Sequence, residues 1–234
     1  MSKNVLIVYS SHAGHTARIA RTMMNTIVQA GHACEMMDVK EAIREEVEWN
    51  KYDTVIVGAA VIYGVYTKDF WEFVNRFHGI INQKRNAFFN ITVVARTPYK
   101  ATVEGNRYMQ RFIQKSPWKP QELKCFAGKV DYPHWTWYQR LAIQMIMKMT
   151  KGPTDPTTII DYTNWEDVEA FALHCVNETP HEAEETFAKQ VQEKATLAAK
   201  ATVGEEPMAK KPVKKTAAAK KTVKKAPAKK TVKK

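Results

Sequence analysis

A doubly wound α/β fold with five parallel strands is the class that the sequence predicts, and three observations predict it. Strand-like apolar runs alternate with helical patterns over roughly 175 residues, the pattern of a parallel sheet with crossover helices. Thr54 to Ala60 is apolar without interruption, as suits a strand buried on both faces. The first run, Val5 to Tyr9, passes through Ser10-Ser11-His12-Ala13-Gly14-His15-Thr16 straight into a helical pattern, the junction at which such folds bind anions.

Each element has its own signal. Thr16 to Ala30 predicts a helix, with Ile19, Ala20, Met23, Met24 and Ile27 on one face and Gly31 as its stop. Cys34 to Asp38 reads as the second strand, and a charged segment to Trp49 leads to the third strand at Thr54. Phe70 to Ile81 reads as a helix, Phe88 to Ala95 as the fourth strand, and Gly105 to Gln114 as a helix. Lys124 to Val130 begins a fifth strand, which the run Thr157 to Tyr162 can complete. Thr163 with Glu166 predicts a capping box for a last helix through Cys175.

The junction at 10–16 carries the chemistry. A strand that ends in a short Gly-containing turn and opens a helix aims unpaired backbone N–H groups, and the positive end of the helix dipole, at one point. There is no G-x-G-x-x-G and no Gly-Lys-Ser/Thr, which favours a monophosphate over a dinucleotide or a triphosphate. An ordinary turn with Ser11 or Thr16 as helix cap is the competing reading.

Composition divides the chain. The 12 Lys residues between Pro207 and Lys234 account for all of the +12 net charge, and the first 206 residues hold 24 basic and 24 acidic side chains. The three cysteines, Cys34, Cys125 and Cys175, lack any ligand-like spacing, so reduced thiols and no metal site are expected. The strand-like run begins almost at once after Met1, leaving no room for a signal peptide, and no run has the length of a transmembrane helix.

The strand-SSHAGHT-helix opening resembles the phosphate loop of flavodoxins. GAAVIYGVY at 58–66, VARTPYK at 94–100, and above all YPHWTWYQRLAIQMIMKMTKG at 132–152 with YTNWEDV at 162–168 resemble the flavodoxin-like, quinone-dependent protoporphyrinogen IX dehydrogenases. The resemblance covers about residues 4–176. It implies the flavodoxin fold, flavin mononucleotide (FMN) as cofactor, and oxidation of protoporphyrinogen IX to protoporphyrin IX with electrons passed to a membrane quinone, menaquinone or ubiquinone. His12 and Ala13 stand where flavodoxins carry hydroxyl residues, which shifts phosphate contacts to backbone N–H groups, Ser11 and Thr16. By the same resemblance, Ala60, Tyr63, Gly64 and Tyr66 after the third strand, and Arg96, Thr97 and Tyr99 after the fourth, bracket the flavin ring. Arg96 is a candidate for steadying the reduced flavin or a porphyrin propionate; no protein nucleophile is required.

The expected domains are a catalytic unit at 1–179 with an insert at about 131–156, a charged linker at 180–206, and a disordered polybasic tail at 207–234. On a helix, Arg140, Gln144, Lys148 and Lys151 form one polar and cationic stripe, while Trp137, Leu141, Met145 and their neighbours make the rest apolar. With Trp135, Trp137 and Tyr138 as headgroup-level anchors, this segment suits an anionic membrane interface or a flat hydrophobic substrate; a core helix is the alternative. The resemblance places it near the flavin and the protein peripherally on the cytoplasmic side of the inner membrane. The tail suits anionic lipid or non-specific nucleic acid, or no partner at all. Oligomeric state is open, a homo-oligomer included. Competing functions are a flavodoxin-type electron carrier and an NAD(P)H-quinone flavoenzyme.

Overall fold

The computed structural model describes residues 2–134, 137–149, 152 and 154–177. Trp135, Lys151, the linker and the tail fall outside these residues, as does the side chain of Tyr138.

Strands β1 (Asn4–Ser10), β2 (Ala33–Asp38), β3 (Thr54–Ala60), β4 (Arg85–Thr92) and β5 (Glu122–Ala127) form a parallel sheet in the order β2-β1-β3-β4-β5. The register pairs Ser10 with Ala59, Ala60 with Ile91, and Thr92 with Ala127, so four strands end side by side. Side chains alternate across the sheet. Val5, Ile7, Ile56, Phe89 and Phe126 face α1 (His15–Gln29) and α6 (Trp165–Asn177), while Leu6, Val8, Val55, Val57 and Phe88 face the opposite core. On that side pack α2 (Val39–Arg44), α3 (Lys68–Ile81) and α4 (Arg107–Lys115), centred on Phe88 stacked 4.2 Å from Phe112.

Several boundaries differ from the sequence reading. The charged segment before Trp49 contains α2, capped by Asp38 accepting from Lys40 N at 2.9 Å. The fourth strand spans Arg85–Thr92 rather than 88–95, because Thr92 Oγ1 accepts from Ala95 N and turns the chain into a 3₁₀ segment. Asn106 caps α4 by accepting from Tyr108 N and Met109 N, so that helix starts after Gly105. The run 157–162 does not complete the fifth strand. β7 (Ile159–Asp161) pairs antiparallel with β6 (Lys129–Asp131), which follows β5 after Gly128, and the two form a separate ribbon. The helix α5 (Trp137–Met149) lies between the two strands of that ribbon. Nor does Thr163 cap the last helix: Asn164 does, accepting from Asp167 N at 3.2 Å, and Thr163 is used elsewhere.

The ribbon and α5 share a small core of Val130, Tyr132 and Met147, with Val93, Ile143 and Tyr162 against it. The outward face of α5 is apolar: Trp137, Leu141 and Met145 are 77%, 57% and 63% exposed, at intervals of four, with exposed Lys148 beside them. Arg140, Gln144 and Lys148 of the expected stripe follow at intervals of four along the same helix, and Lys151 lies outside the described residues. Arg140 donates to the Pro133 carbonyl at 3.1 Å and Gln144 to the Thr154 carbonyl at 2.7 Å, so two of its members bind the insert's own backbone. No described helix is long and apolar enough to cross a membrane.

Candidate functional site

At the carboxyl edge of the sheet, β1 leads through residues 11–14 into α1. Gly14 is the N-cap, with φ +80°, a left-handed conformation that glycine adopts without the penalty a β-carbon brings. Among the described residues no side chain caps this helix, and neither Ser11 nor Thr16 takes that role, which leaves the first-turn N–H groups for another acceptor. Thr16 is buried, and Ser11 Oγ is buried without a hydrogen-bond partner. A buried hydroxyl beside an uncapped helix N-terminus is the donor set of an anion site, so the residues present fit a phosphate. Ser10, by contrast, is committed: its hydroxyl lies 2.9 Å from that of Thr67, at the start of α3.

A cleft of about 810 Å³ opens from this turn. His12, Ala13, Gly14, His15 and Thr16 line one end, and Ala60 to Tyr63 one wall. Ile91 of β4, Val93 just after it, Gly128 before β6, Lys129 and Asp131 of β6, Arg18 of α1 and Ile143 of α5 complete it. The insert helix is thus a wall of the cleft. Tyr63 and Gly64 turn the chain after β3, both at positive φ (49° and 84°), with Ile62 and Val65 exchanging backbone hydrogen bonds across the turn. That geometry is a type I′ turn, for which glycine at the second central position is strongly preferred. It leaves Tyr63 half exposed at the cleft.

The structure separates the other expected flavin residues. Tyr66 is a correction: its ring is buried among Phe70, Phe88 and Phe112, and its hydroxyl accepts from Asn90 Nδ2 at 3.0 Å. Burial drives its phenol well above the ordinary tyrosine range, with the Asn90 bond opposing. Tyr66 is a core residue, which the aromatic cluster around it explains. Arg96 donates to the Val93 carbonyl at 3.2 Å and lies against the insert, where a β-carbon on Gly152 would come 2.7 Å from its Nη2. Thr97 N–H bonds the Val94 carbonyl, and Tyr99 is exposed; neither lines the cleft.

Sequence reasoning missed a polar group at the cleft's α1 side. His15 Nε2 lies 2.8 Å from Thr163 Oγ1 and 3.8 Å from Asp161 Oδ1. Arg18 Nη1 sits 3.3 Å from Asp161 Oδ2, and its guanidinium covers the Trp165 ring at 4.4 Å. Burial lowers the His15 imidazole below its usual value, with Asp161 opposing. Burial also resists ionisation of Asp161, yet hydrogen bonds from Thr163, and then the charges of His15 and Arg18, hold its carboxyl below the usual range. The spacing of these residues, nearly 150 positions apart, carries no local signal; only the return of β7 to α1 brings them together.

Strand order β2-β1-β3-β4-β5, an uncapped helix start after β1, and a cleft where the strand order reverses define a flavodoxin-type protein. The flavodoxin-domain family model matches residues 6–157. The chain is 36% identical over 167 residues to the protoporphyrinogen IX dehydrogenase (quinone) of Escherichia coli strain K12, covering 71% of this chain and 91% of that protein. A protein of the same name from Leishmania major is 34% identical over 172 residues, 73% of this chain and 74% of the relative. Among solved structures, oxidised flavodoxin 1 of Bacillus cereus matches with a TM-score of 0.44 and 17% identity, covering 75% of this chain and 99% of that one. The chain belongs to the flavodoxin-like protoporphyrinogen IX dehydrogenase (quinone) family.

Proposed function

We propose that this protein oxidises protoporphyrinogen IX to protoporphyrin IX, with FMN as its cofactor and a membrane quinone, menaquinone or ubiquinone, as electron acceptor. The observation that carries the cofactor reading is Ser11 Oγ, buried and unpartnered beside the uncapped α1. Ser11, Thr16 and the N–H groups following Gly14 would hold the phosphate, and Tyr63 would border the ring. When bound, FMN supplies the two-electron chemistry: three turns remove six electrons and six protons from the porphyrinogen, and three quinones become three quinols.

The chain's own work is binding, placement and exclusion of water. Val61, Ile62, Ile91, Val93 and Ile143 give the cleft apolar walls suited to a flat tetrapyrrole or a quinone ring. Lys129 and Arg18 put positive charge at its polar side, favourable to propionates, although each is partly offset by an aspartate, Asp131 at 2.6 Å and Asp161 at 3.3 Å. Both reactants have large apolar ring systems, and the exposed Trp137, Leu141 and Met145 with Lys148 support a peripheral position on an anionic membrane; the cytoplasmic face of the inner membrane is the location proposed with it. Such docking would let the two exchange without crossing bulk water.

The test is anaerobic porphyrin fluorescence from flavin-loaded protein given protoporphyrinogen IX, with and without a menaquinone analogue. Fluorescence that grows over many turnovers only with quinone is the expected result. A flavin-loaded protein without that signal, but reduced rapidly by NADH or NADPH, would instead be a nicotinamide-quinone flavoenzyme.

A further inference from the structure

One hydroxyl joins three parts of the site. Thr163 Oγ1 donates to the Ala127 carbonyl at 2.9 Å, with the Asp161 carboxylate as a second acceptor nearby, so its single proton points to an oxygen that cannot donate in return. It must therefore accept from His15 Nε2–H at 2.8 Å, which fixes the His15 tautomer. Ala127 is the residue from which the chain leaves the sheet toward β6 and the insert, and Thr163 is where it returns after β7. His15 is the first residue of α1, directly after Gly14 of the anion turn. Asp161 braces the same point, accepting from Thr163 N at 3.0 Å and pairing with Arg18 one turn further along α1. The two limbs of the insert are thus fastened to each other and to the helix start that forms the anion site.

We propose that His15 and Thr163 are positioning residues that couple the two sites: a phosphomonoester seated in the 11–16 turn fixes His15, and through Thr163 and Ala127 sets the insert helix over the cleft. The inference rests on the reading of that turn as a phosphate site. It makes cofactor and insert reciprocal, since whatever the phosphate does for the insert, an ordered insert returns as phosphate affinity. A ligand with the same ring system and no phosphate occupies the cleft without engaging the turn.

The experiment is hydrogen–deuterium exchange on the full chain, comparing FMN with riboflavin in wild type, Thr163→Val and Thr163→Ser. FMN should slow exchange over residues 137–149 on the order of tenfold in wild type, the factor that one hydrogen bond corresponds to. Riboflavin, which meets α5 only at the Ile143 wall, should protect that segment clearly less than FMN does. Thr163→Val should bind FMN about tenfold more weakly and, at saturation, lose the protection of the insert. Thr163→Ser should keep both. Equal protection by riboflavin and FMN, or protection that survives in Thr163→Val at saturating FMN, would overturn the coupling. If Thr163→Val does not fold, His15→Leu removes the donor while leaving the Thr163–Ala127 bond and is held to the same outcomes. Failure of wild type to bind FMN at all would defeat the phosphate reading itself, whereas binding without insert protection defeats only the coupling.

Discussion

The cleft has two ends that were built differently. The turn after β1 is backed by α1, whose Ile19, Ala20, Met23 and Ile27 are fully buried against the sheet. Among the described side chains, the insert after β5 closes over Val130, Tyr132 and Met147, with Val93, Ile143 and Tyr162 against them, and leaves Trp137, Leu141 and Met145 largely exposed. Burying three such side chains elsewhere in the fold would contribute several kcal/mol, at about 25 cal/mol per Å² of apolar surface. Folding therefore accounts for the apolar face of α1, whereas the exposure of Leu141 and Met145 on α5 is not explained by burial within the fold. An apolar face left this exposed is expected where a partner or a membrane covers it.

The largest expected effect tests whether the two ends differ in stability as they do in packing. Phe88→Ala removes a ring stacked on both Phe70 and Phe112 and should cost about 3–5 kcal/mol of global stability, read as a fall in thermal midpoint. Met147→Ala empties a core of three buried residues. It should speed amide exchange in the insert while leaving the protection of β1, β3 and β4 unchanged. Equal loss of protection in sheet and insert would show that they unfold as one unit.

A second prediction turns on function. The triple variant Trp137→Ser, Leu141→Ser, Met145→Ser alters exposed positions only, so its thermal midpoint should move little, within about 0.5 kcal/mol per site. Turnover with quinone embedded in anionic liposomes should fall by about tenfold or more, while turnover with a soluble quinone is retained. Loss of both activities in equal measure would make this face part of the substrate site rather than a docking surface.

At the turn the expected effect is smaller and purely conformational. A β-carbon on Gly14 would meet nothing within 4 Å, so Gly14→Ala is penalised by its φ of +80° alone, about 1–2 kcal/mol. FMN affinity, followed by quenching of flavin fluorescence, should weaken with it. Gly14→Asn, better tolerated in the left-handed region, should weaken it less. Identical affinities for all three would mean that the turn does not depend on that backbone geometry.

What the sequence made legible follows the same division. Long elements with strong periodicity, β1, α1, β3 and α3, were readable because their apolar spacing is itself the packing. The glycine turn between β1 and α1 is readable because its residues are contiguous. Tyr66 was misassigned because an aromatic residue in a cleft-side loop and one in a core have the same local sequence; only the surrounding Phe70, Phe88 and Phe112 decide. The ribbon β6–β7 reads locally as a continued fifth strand because a single residue, Gly128, separates β5 from β6, and a lone glycine does not by itself signal that the chain leaves the sheet. Thr163 fitted a capping box, yet its hydroxyl answers to His15 and Ala127, partners too far along the chain for any window to see.

That junction also gives the smallest expected effect, a dependence on pH. Burial holds the His15 imidazole below its ordinary value of about 6.5, so the unfolded chain takes up a proton there before the native protein does. Stability conferred by the neutral ring is fully present above the unfolded value and is lost as pH falls through it toward the lower native value. Asp161, 3.8 Å away, restrains the shift, while Arg18 and Lys129 add to it. The contribution of Asp161 itself is present above the ordinary carboxylate value near 4 and lost only below that, in a separate window. Thermal midpoints between pH 7.5 and 5.5 should therefore fall in wild type, and fall less in His15→Gln, whose amide supplies an N–H donor to Thr163 without titrating. A variant with the same slope as wild type would remove His15 as the source of the acid sensitivity, and the pairing of the two ends through it would then rest on geometry without a measurable titration.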